Sequence, residues 1–208
     1  MLHRLKRNPI FYVSLLLLGL SAFFFVEAQK TLQARYEAAT SQFKTGTSIT
    51  VVGVVTDDEV RVRNEDGQHI VVRLMGIKNF AEMARLRHRD ATARAAKAYL
   101  EQFALGRAGT LTIETNKTIK KGIVLAYIDL VAIDSNPKID LGAGLIDKGL
   151  AVVFNKNAFG REVDYLAREK QARESQLGLW RELPRSPVLD KLRLKWARDR
   201  ARSGEGQP

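Results

Sequence analysis

An apolar run near the N-terminus constrains this chain more than any other feature. Residues 10–26 carry no charged side chain and are almost all aliphatic or aromatic. As a helix rising 1.5 Å per residue they would extend roughly 26 Å, close to the hydrocarbon thickness of a bilayer. Arg4, Lys6 and Arg7 precede the run, which favours an N-terminus on the inner side. The run is therefore predicted to be a single membrane span, with the following domain on the extracytoplasmic side.

A secreted chain is the alternative to a retained anchor. Val26 and Ala28 fit the two positions that a signal peptidase reads. The apolar run is long for a signal peptide, so residues 1–28 are interpreted as an anchor. A bacterial envelope and a mitochondrial membrane are both compatible with this interpretation. Residues 29–46 are polar and rich in helix formers, and are predicted to be a juxtamembrane helix or linker.

The charge of the chain points to an acidic partner. The 208 residues have a formal net charge of +11 and contain no cysteine. Without cysteine, a disulfide framework, a zinc ribbon and thiol catalysis are excluded. A basic chain attracts nucleic acid, anionic membrane or acidic protein, and charge alone does not choose among them.

The basic charge is concentrated in a C-terminal extension, predicted over residues 182–208. Leu189, Leu192 and Trp196 recur there at helical spacing among lysines and arginines, which indicates a basic amphipathic helix. Its apolar stripe packs on the domain or docks on a membrane or a partner. The candidates for binding an anion or a partner are Arg193, Lys195 and Arg198.

Between residues 47 and 181 the pattern predicts one small domain. Short β-branched runs separated by turn residues predict five strands, and apolar residues at helical spacing predict three helices. The first helix is predicted over 83–105, with Ala95, Tyr99, Leu100 and Phe103 on its inner face. The strands are predicted at 48–55, 60–62, 69–75, 110–114 and 124–133, and the other helices at 141–148 and 158–176.

Several spaced motifs follow one another along this domain. They are Val71–Ile77, Leu125–Tyr127, Gly144–Ala151, Tyr165–Arg173 and Leu177–Trp180. In this order they resemble the staphylococcal nuclease-like (thermonuclease) family. The resemblance implies an α+β fold, a five-stranded OB-type β-barrel with three helices, here preceded by one transmembrane helix.

The same resemblance implies a phosphodiester-hydrolysing site. Such chemistry needs a metal held by carboxylates, a base for the water and cations for the phosphoryl charge. Asp58 falls on a metal-binding aspartate of the family, and Arg73 falls on a phosphate-binding arginine. Ala81 occupies the position of the general-base glutamate, which Glu82 would replace only with a one-residue slip.

Two further positions depart from the family pattern. Lys78 stands where a second metal-binding aspartate is expected, and Ile123 stands where a second arginine is expected. A cation at a ligand position removes a donor and repels the metal. One lost transition-state donor costs a factor of roughly 10² to 10³ in rate. The sequence therefore predicts weak or no nuclease activity and no cofactor. It leaves Lys78, Lys120 and Lys121 as candidate contacts for an anion or a partner.

Several functions compete at this point. The preferred hypothesis is a membrane-anchored domain with a degenerate catalytic site that serves as a binding, scaffold or accessory subunit beside a protein partner. The first alternative is a divergent nuclease that uses Arg73, Asp58 and Glu82 with Ca²⁺. The others are nucleic-acid binding without cleavage and docking on anionic lipid. Structural roles compete as well: Arg73 in an ion pair with Asp58 or Glu82, Glu169 as a structural partner, and Trp180 in the core.

Overall fold

A long helix, α1 (Pro9–Ser41), opens the structure, a computed structural model that describes residues 9–79, 89–114, 118–119, 123–131, 138–181 and 186–203. Its segment Tyr12–Thr31 has a mean hydropathy of 1.6 and is not buried against the rest of the chain. The helix is long and apolar enough to cross a membrane, as the sequence predicts; a signal sequence would meet the same criterion. It continues to Ser41 without a break between the predicted anchor and the predicted linker.

Four antiparallel pairings and one parallel pairing of neighbouring strands close a β-barrel. The strands are β1 (Ser48–Val54), β2 (Glu59–Asn64), β3 (His69–Leu74), β4 (Ile77–Lys78), β5 (Ala108–Thr112), β6 (Thr118–Ile119), β7 (Ile123–Leu130), β8 (Ile139–Asp140) and β9 (Val152–Val153). The path β3-β2-β1-β5-β7 is antiparallel, and β3 pairs with β7 in parallel to close the ring. This is the five-stranded OB-type barrel that the sequence predicts.

The four two-residue strands were not predicted from the sequence. Strands β6 and β8 both pair with β7, and β4 pairs with β9 to form a separate two-stranded sheet. In this sheet Lys78 lies opposite Val152. A two-residue strand has no periodicity of its own, so only tertiary pairing reveals it.

The helices after the first are α2 (Arg89–Phe103), α3 (Leu141–Asp147), α4 (Glu162–Glu174) and α5 (Pro187–Ser203), with a 3₁₀ turn at Gly178–Arg181. The predicted inner face of α2 is partly wrong. Leu100 is buried, but Ala95 is exposed and Ala96 is the alanine that packs inward. The predicted start of this helix, at residue 83, lies outside the described residues.

The barrel interior is filled by alternating apolar residues of the strands. Val51, Val62, Val72 and Leu111 have essentially no exposed surface. Alternate side chains of a strand point to opposite faces, so one face of each strand fills the barrel and the other faces outward. Trp180 is also fully buried, which confirms its predicted place in the core.

A polar cluster attaches the helices to the barrel. The Arg161 guanidinium donates to both carboxylate oxygens of Asp129 at 2.7 Å and also bonds Asp140. Asp140 caps α3 by accepting from Gly142 N, and it accepts a hydrogen bond from the buried Tyr165 hydroxyl. Burial, followed by the Asp140 charge, raises the pKa of Tyr165. The Tyr165 hydroxyl therefore stays protonated, and the cluster acts as a structural tie between α3, α4 and β7.

The C-terminal helix α5 packs on the barrel domain. Leu189 is fully buried and joins a second apolar cluster with Val152, Ala172 and Trp180. The Trp196 ring contacts the Phe154 ring edge-to-face, with centroids 5.0 Å apart. The apolar stripe predicted for the extension is thus packed against the domain.

Candidate functional site

The turn between β1 and β2 brings three carboxylates together. Val55 N and Thr56 N both donate to the Glu59 carbonyl, at 2.9 and 3.1 Å. Leu74 N donates to the Asp58 carbonyl at 2.9 Å, which holds the turn against the end of β3. As a result Asp57, Asp58 and Glu59 lie beside the outward side chains of β3 and β4.

Arg73 is engaged mainly by Glu59. The two residues are direct cross-strand partners in the β2–β3 ladder. Arg73 Nε donates to Glu59 Oε1 at 2.9 Å, and Arg73 Nη2 makes a second contact with the same oxygen. Glu59 is only 6% exposed, so this pair is partly desolvated. Asp58 Oδ2 is farther away, 4.0 Å from Arg73 Nε.

Asp58, the predicted metal-binding residue, lies half-buried in this turn. Its Oδ1 accepts a hydrogen bond from Thr56 Oγ1 at 2.9 Å. Burial raises the pKa of the Asp58 carboxyl, and the charges of Asp57 and Glu59 add to the rise against the opposing effects of Thr56 and Arg73. Burial thus disfavours the ionised form of this carboxyl group.

Lys78 and Asn79 occupy the neighbouring edge. The Lys78 ammonium lies over the Phe154 ring, 5.6 Å from its centroid, a cation–π geometry. Phe154 in turn contacts Trp196 of α5. Asn79 is buried and donates through Nδ2 to Asp57 Oδ2. One flank of the site is therefore continuous with the packing of the C-terminal helix.

Among the described residues there is no group of three or more histidine, aspartate or glutamate side chains that could hold a metal ion. The Asp57 carboxylate accepts a hydrogen bond from Asn79, and the Glu59 carboxylate accepts from Arg73. The ammonium group of Lys78, over the Phe154 ring, adds a positive charge at the neighbouring edge. The predicted base Glu82, with Ala81, lies outside the described residues.

The predicted C-terminal binding residues point in different directions. Arg193 Nη2 contacts both carboxylate oxygens of Glu169, at 2.7 and 2.6 Å, so its guanidinium is used inside the protein. Lys195 and Arg198 are exposed. Lys120 and Lys121 lie outside the described part of the chain.

Glu169 has the structural role that the sequence predicts. It is 2% exposed and accepts from Val153 N at 2.7 Å, in addition to Arg193 and Arg173. Two ion pairs were not predicted from the sequence: the pair of Arg73 with Glu59 and the pair of Glu169 with Arg193. The register of the β2–β3 hairpin could have indicated the first, because direct opposition of Glu59 and Arg73 follows from the turn at 64–67.

The closed five-stranded barrel with its helices is consistent with an OB-like, staphylococcal nuclease-like fold. The profile of the staphylococcal nuclease homologue family matches residues 71–182, just over half of the chain. The chain belongs to this family. The match includes Arg73, Lys78 and Glu169 but begins after the turn that carries Asp58. No curated protein matches the chain.

Proposed function

We propose that this protein is a membrane-anchored nuclease-like domain whose catalytic site is degenerate, and that it acts as a binding or scaffold subunit of a membrane-associated assembly. The observation that carries the proposal is the internal neutralisation of Arg73 by Glu59 beside a lysine. A phosphate-binding arginine must have donors available for the substrate, and a metal site must present free carboxylates. Here the arginine and the carboxylates are bonded to partners within the protein.

The lysine at position 78 adds a second reason. In the family resemblance this position belongs to a metal-binding aspartate. A lysine in place of the aspartate supplies no oxygen ligand, and its ammonium group repels a cation at the same point. It lies instead over Phe154, where its charge has a favourable partner. Lys78 is thus suited to an anion or to structural packing, and not to metal binding.

The C-terminal helix supports the same proposal. Phe154 packs between Lys78 and Trp196, so α5 borders the site. A helix fastened here by buried contacts reduces the open surface available to a polymeric substrate on this flank. The arrangement favours a domain whose surface serves contacts with other molecules over one that processes nucleic acid.

The proposed location follows from α1. Its apolar segment is exposed in the isolated chain, and such a surface is stable in water only when lipid or protein covers it. With a retained anchor, the barrel is an extramembrane domain, on the extracytoplasmic side of a bacterial envelope or beside a mitochondrial membrane. We propose a protein partner in that membrane, without a cofactor.

Calcium binding and nucleic-acid cleavage test the degenerate site. The full-length chain, in detergent, is titrated with Ca²⁺ by calorimetry and incubated with DNA and RNA. We expect no calcium uptake and no metal-dependent cleavage. Lys78→Asp should gain measurable calcium uptake, because it places a carboxylate where the family resemblance expects a metal-binding aspartate. Lys148→Asp, at an exposed position, makes the same charge change elsewhere and should not.

The runner-up, a divergent nuclease, predicts the opposite. It is favoured by the retention of Arg73 within 4.0 Å of Asp58. Calcium-dependent cleavage by the unmodified chain that disappears in Arg73→Ala would overturn the degenerate-site proposal. Salt-sensitive nucleic-acid binding without cleavage would support the second alternative, a non-catalytic nucleic-acid-binding role. Recovery of the chain from native membranes as a lone monomer would overturn the scaffold role.

A further inference from the structure

The basic residues of α5 divide into two faces with different partners. Arg193 and Arg200 face the domain, where they pair with Glu169 and Glu162 of α4. Together with the buried Leu189 and Trp196, these ion pairs fix which side of the helix faces inward. The helix is therefore held in one rotational orientation.

The opposite face carries four exposed cations. Lys191, Lys195, Arg198 and Arg202 follow one another at intervals of four, three and four residues. This spacing places them on one side of a helix. None of the four forms an ion pair with another residue in the described part of the chain. We call these four residues the outer basic stripe.

Leu194 adds an apolar element beside the stripe. It is 59% exposed and precedes Lys195. A row of lysines and arginines next to an exposed leucine suits the boundary between lipid headgroups and acyl chains. Each basic residue near an anionic surface adds attraction, and such attractions accumulate along a row.

We propose that the outer basic stripe binds the anionic headgroups of the membrane that holds α1. The inference rests on the anchoring part of the proposed function and extends it to a second, electrostatic contact. Because α1 tethers the domain to the bilayer, the contact forms at a high effective concentration and requires little intrinsic affinity. The inward ion pairs pre-orient the stripe, so the helix loses little conformational freedom on contact.

The alternative ligand of such a stripe is nucleic acid. Sequence-tolerant binding of single strands combines a basic groove with exposed aromatic side chains that stack on bases. The only aromatic residue of α5 is Trp196, which is buried against Phe154. The charge pattern therefore fits a headgroup surface better than a stacked strand.

The absence of cysteine allows a direct test with a single probe. Leu194→Cys places a spin label beside the stripe, and Val163→Cys places one on α4 at a site that is 82% exposed. The full-length chain is incorporated into nanodiscs of neutral lipid or with about 30% phosphatidylserine. The measurement is the collision rate of each label with a water-soluble paramagnetic reagent.

We expect the label at position 194 to lose accessibility at least about threefold in anionic discs relative to neutral discs. Salt at about 0.5 M should reverse the loss, since it screens exposed charges. The label at position 163 should not change. Replacing all four stripe residues by glutamine should abolish the effect. A control variant that replaces four exposed cations elsewhere by glutamine should retain it: Arg61, Arg63, Arg94 and Lys97.

Three results would overturn the inference. Equal accessibility in neutral and anionic discs would exclude a headgroup contact. Disappearance of the accessibility loss in the control variant as well would assign the effect to overall charge. Protection of the label by an added single-stranded oligonucleotide in neutral discs, without protection by anionic lipid, would assign the stripe to nucleic acid. Failure of the chain to co-elute with discs would instead contradict the anchoring proposal, so the two failures are distinguishable.

Discussion

Two groups of ion pairs in this protein differ in how completely they are organised. At the β1–β2 turn, Arg73 pairs with Glu59, while Asp58 lies 4.0 Å from Arg73 in a half-buried position. Under α5, Glu169 is 2% exposed and accepts from Arg193, Arg173 and a backbone amide. In the group around Glu169, hydrogen bonds satisfy a fully buried carboxylate. In the group around Arg73, the half-buried Asp58 lies where its ionised form is disfavoured.

The difference indicates which of the two groups contributes more to the stability of the fold. A buried charge is tolerated only when several hydrogen bonds satisfy it. Glu169 meets that condition through residues of α4, β9 and α5, and so links the C-terminal helix to the barrel. At the β1–β2 turn, Glu59 and Asp58 are paired with Arg73. The attachment of α5 is therefore expected to be more sensitive to mutation than the β1–β2 turn.

The largest expected effect is that of Glu169→Ala. It leaves Val153 N without its acceptor and Arg193 without its buried partner, and should lower the free energy of unfolding by about 4 kcal/mol. Urea unfolding measures it. Glu174→Ala changes an exposed residue of the same helix that pairs with Lys170, and it should change stability by less than about 0.5 kcal/mol. Similar losses for both variants would remove the contrast between buried and exposed carboxylates.

Trp196→Ala should have the next largest effect. It deletes the contact with Phe154 and leaves a cavity under α5, at a cost of about 3 kcal/mol. Amide hydrogen exchange should accelerate in α5 more than in the barrel strands. Leu194→Ala, on the exposed side of the same helix, serves as the control and should have little effect. Unchanged exchange in α5 would show that the ion pairs alone hold the helix.

Arg73→Ala tests the weaker group. It leaves Glu59 buried without its cation, and the expected loss is about 2 kcal/mol, smaller than that of Glu169→Ala. The control is Arg61→Ala, an exposed residue of the same sheet that should be nearly neutral. A loss for Arg73→Ala that exceeds the loss for Glu169→Ala would reverse the ranking of the two groups.

The smallest effect concerns pH. Burial raises the pKa of Asp58 above its ordinary value of 3.8, so the folded protein holds this proton more tightly than the unfolded chain does. Ionisation of Asp58 therefore lowers stability as the pH rises above 3.8. Asp58→Asn removes this loss while it keeps the contact with Thr56. Relative to the original chain, the variant should gain stability between about pH 3 and about pH 7, measured by urea unfolding. Parallel pH profiles would contradict the burial of this acid.

Much of the fold follows from local sequence pattern, whereas the pairing of charges does not. Alternation along β1 to β3 predicts the barrel strands, and the family motifs predict the closed topology. On α2, Leu100 is buried as predicted, but the alanine that packs inward is Ala96 and not Ala95, since the two are equally apolar and only packing distinguishes them. The pairing of Arg73 with Glu59 depends on hairpin register. The inward orientation of Arg193 depends on the docking of α5, which no local pattern encodes.

The continuity of α1 has a mechanical consequence. The helix runs from the apolar span to Ser41, and the next residues enter the domain directly: Phe43 is buried in the barrel core, and Gly46 N donates to the Leu111 carbonyl at 2.8 Å. Residues 27–41 form a strut about 22 Å long. In the anchored protein proposed above, a strut fastened at both ends would couple the tilt of the span to the height of the barrel above the lipid. Bilayer thickness, to which a span that is too long adapts in part by tilting, would thereby affect how far the domain reaches from the surface.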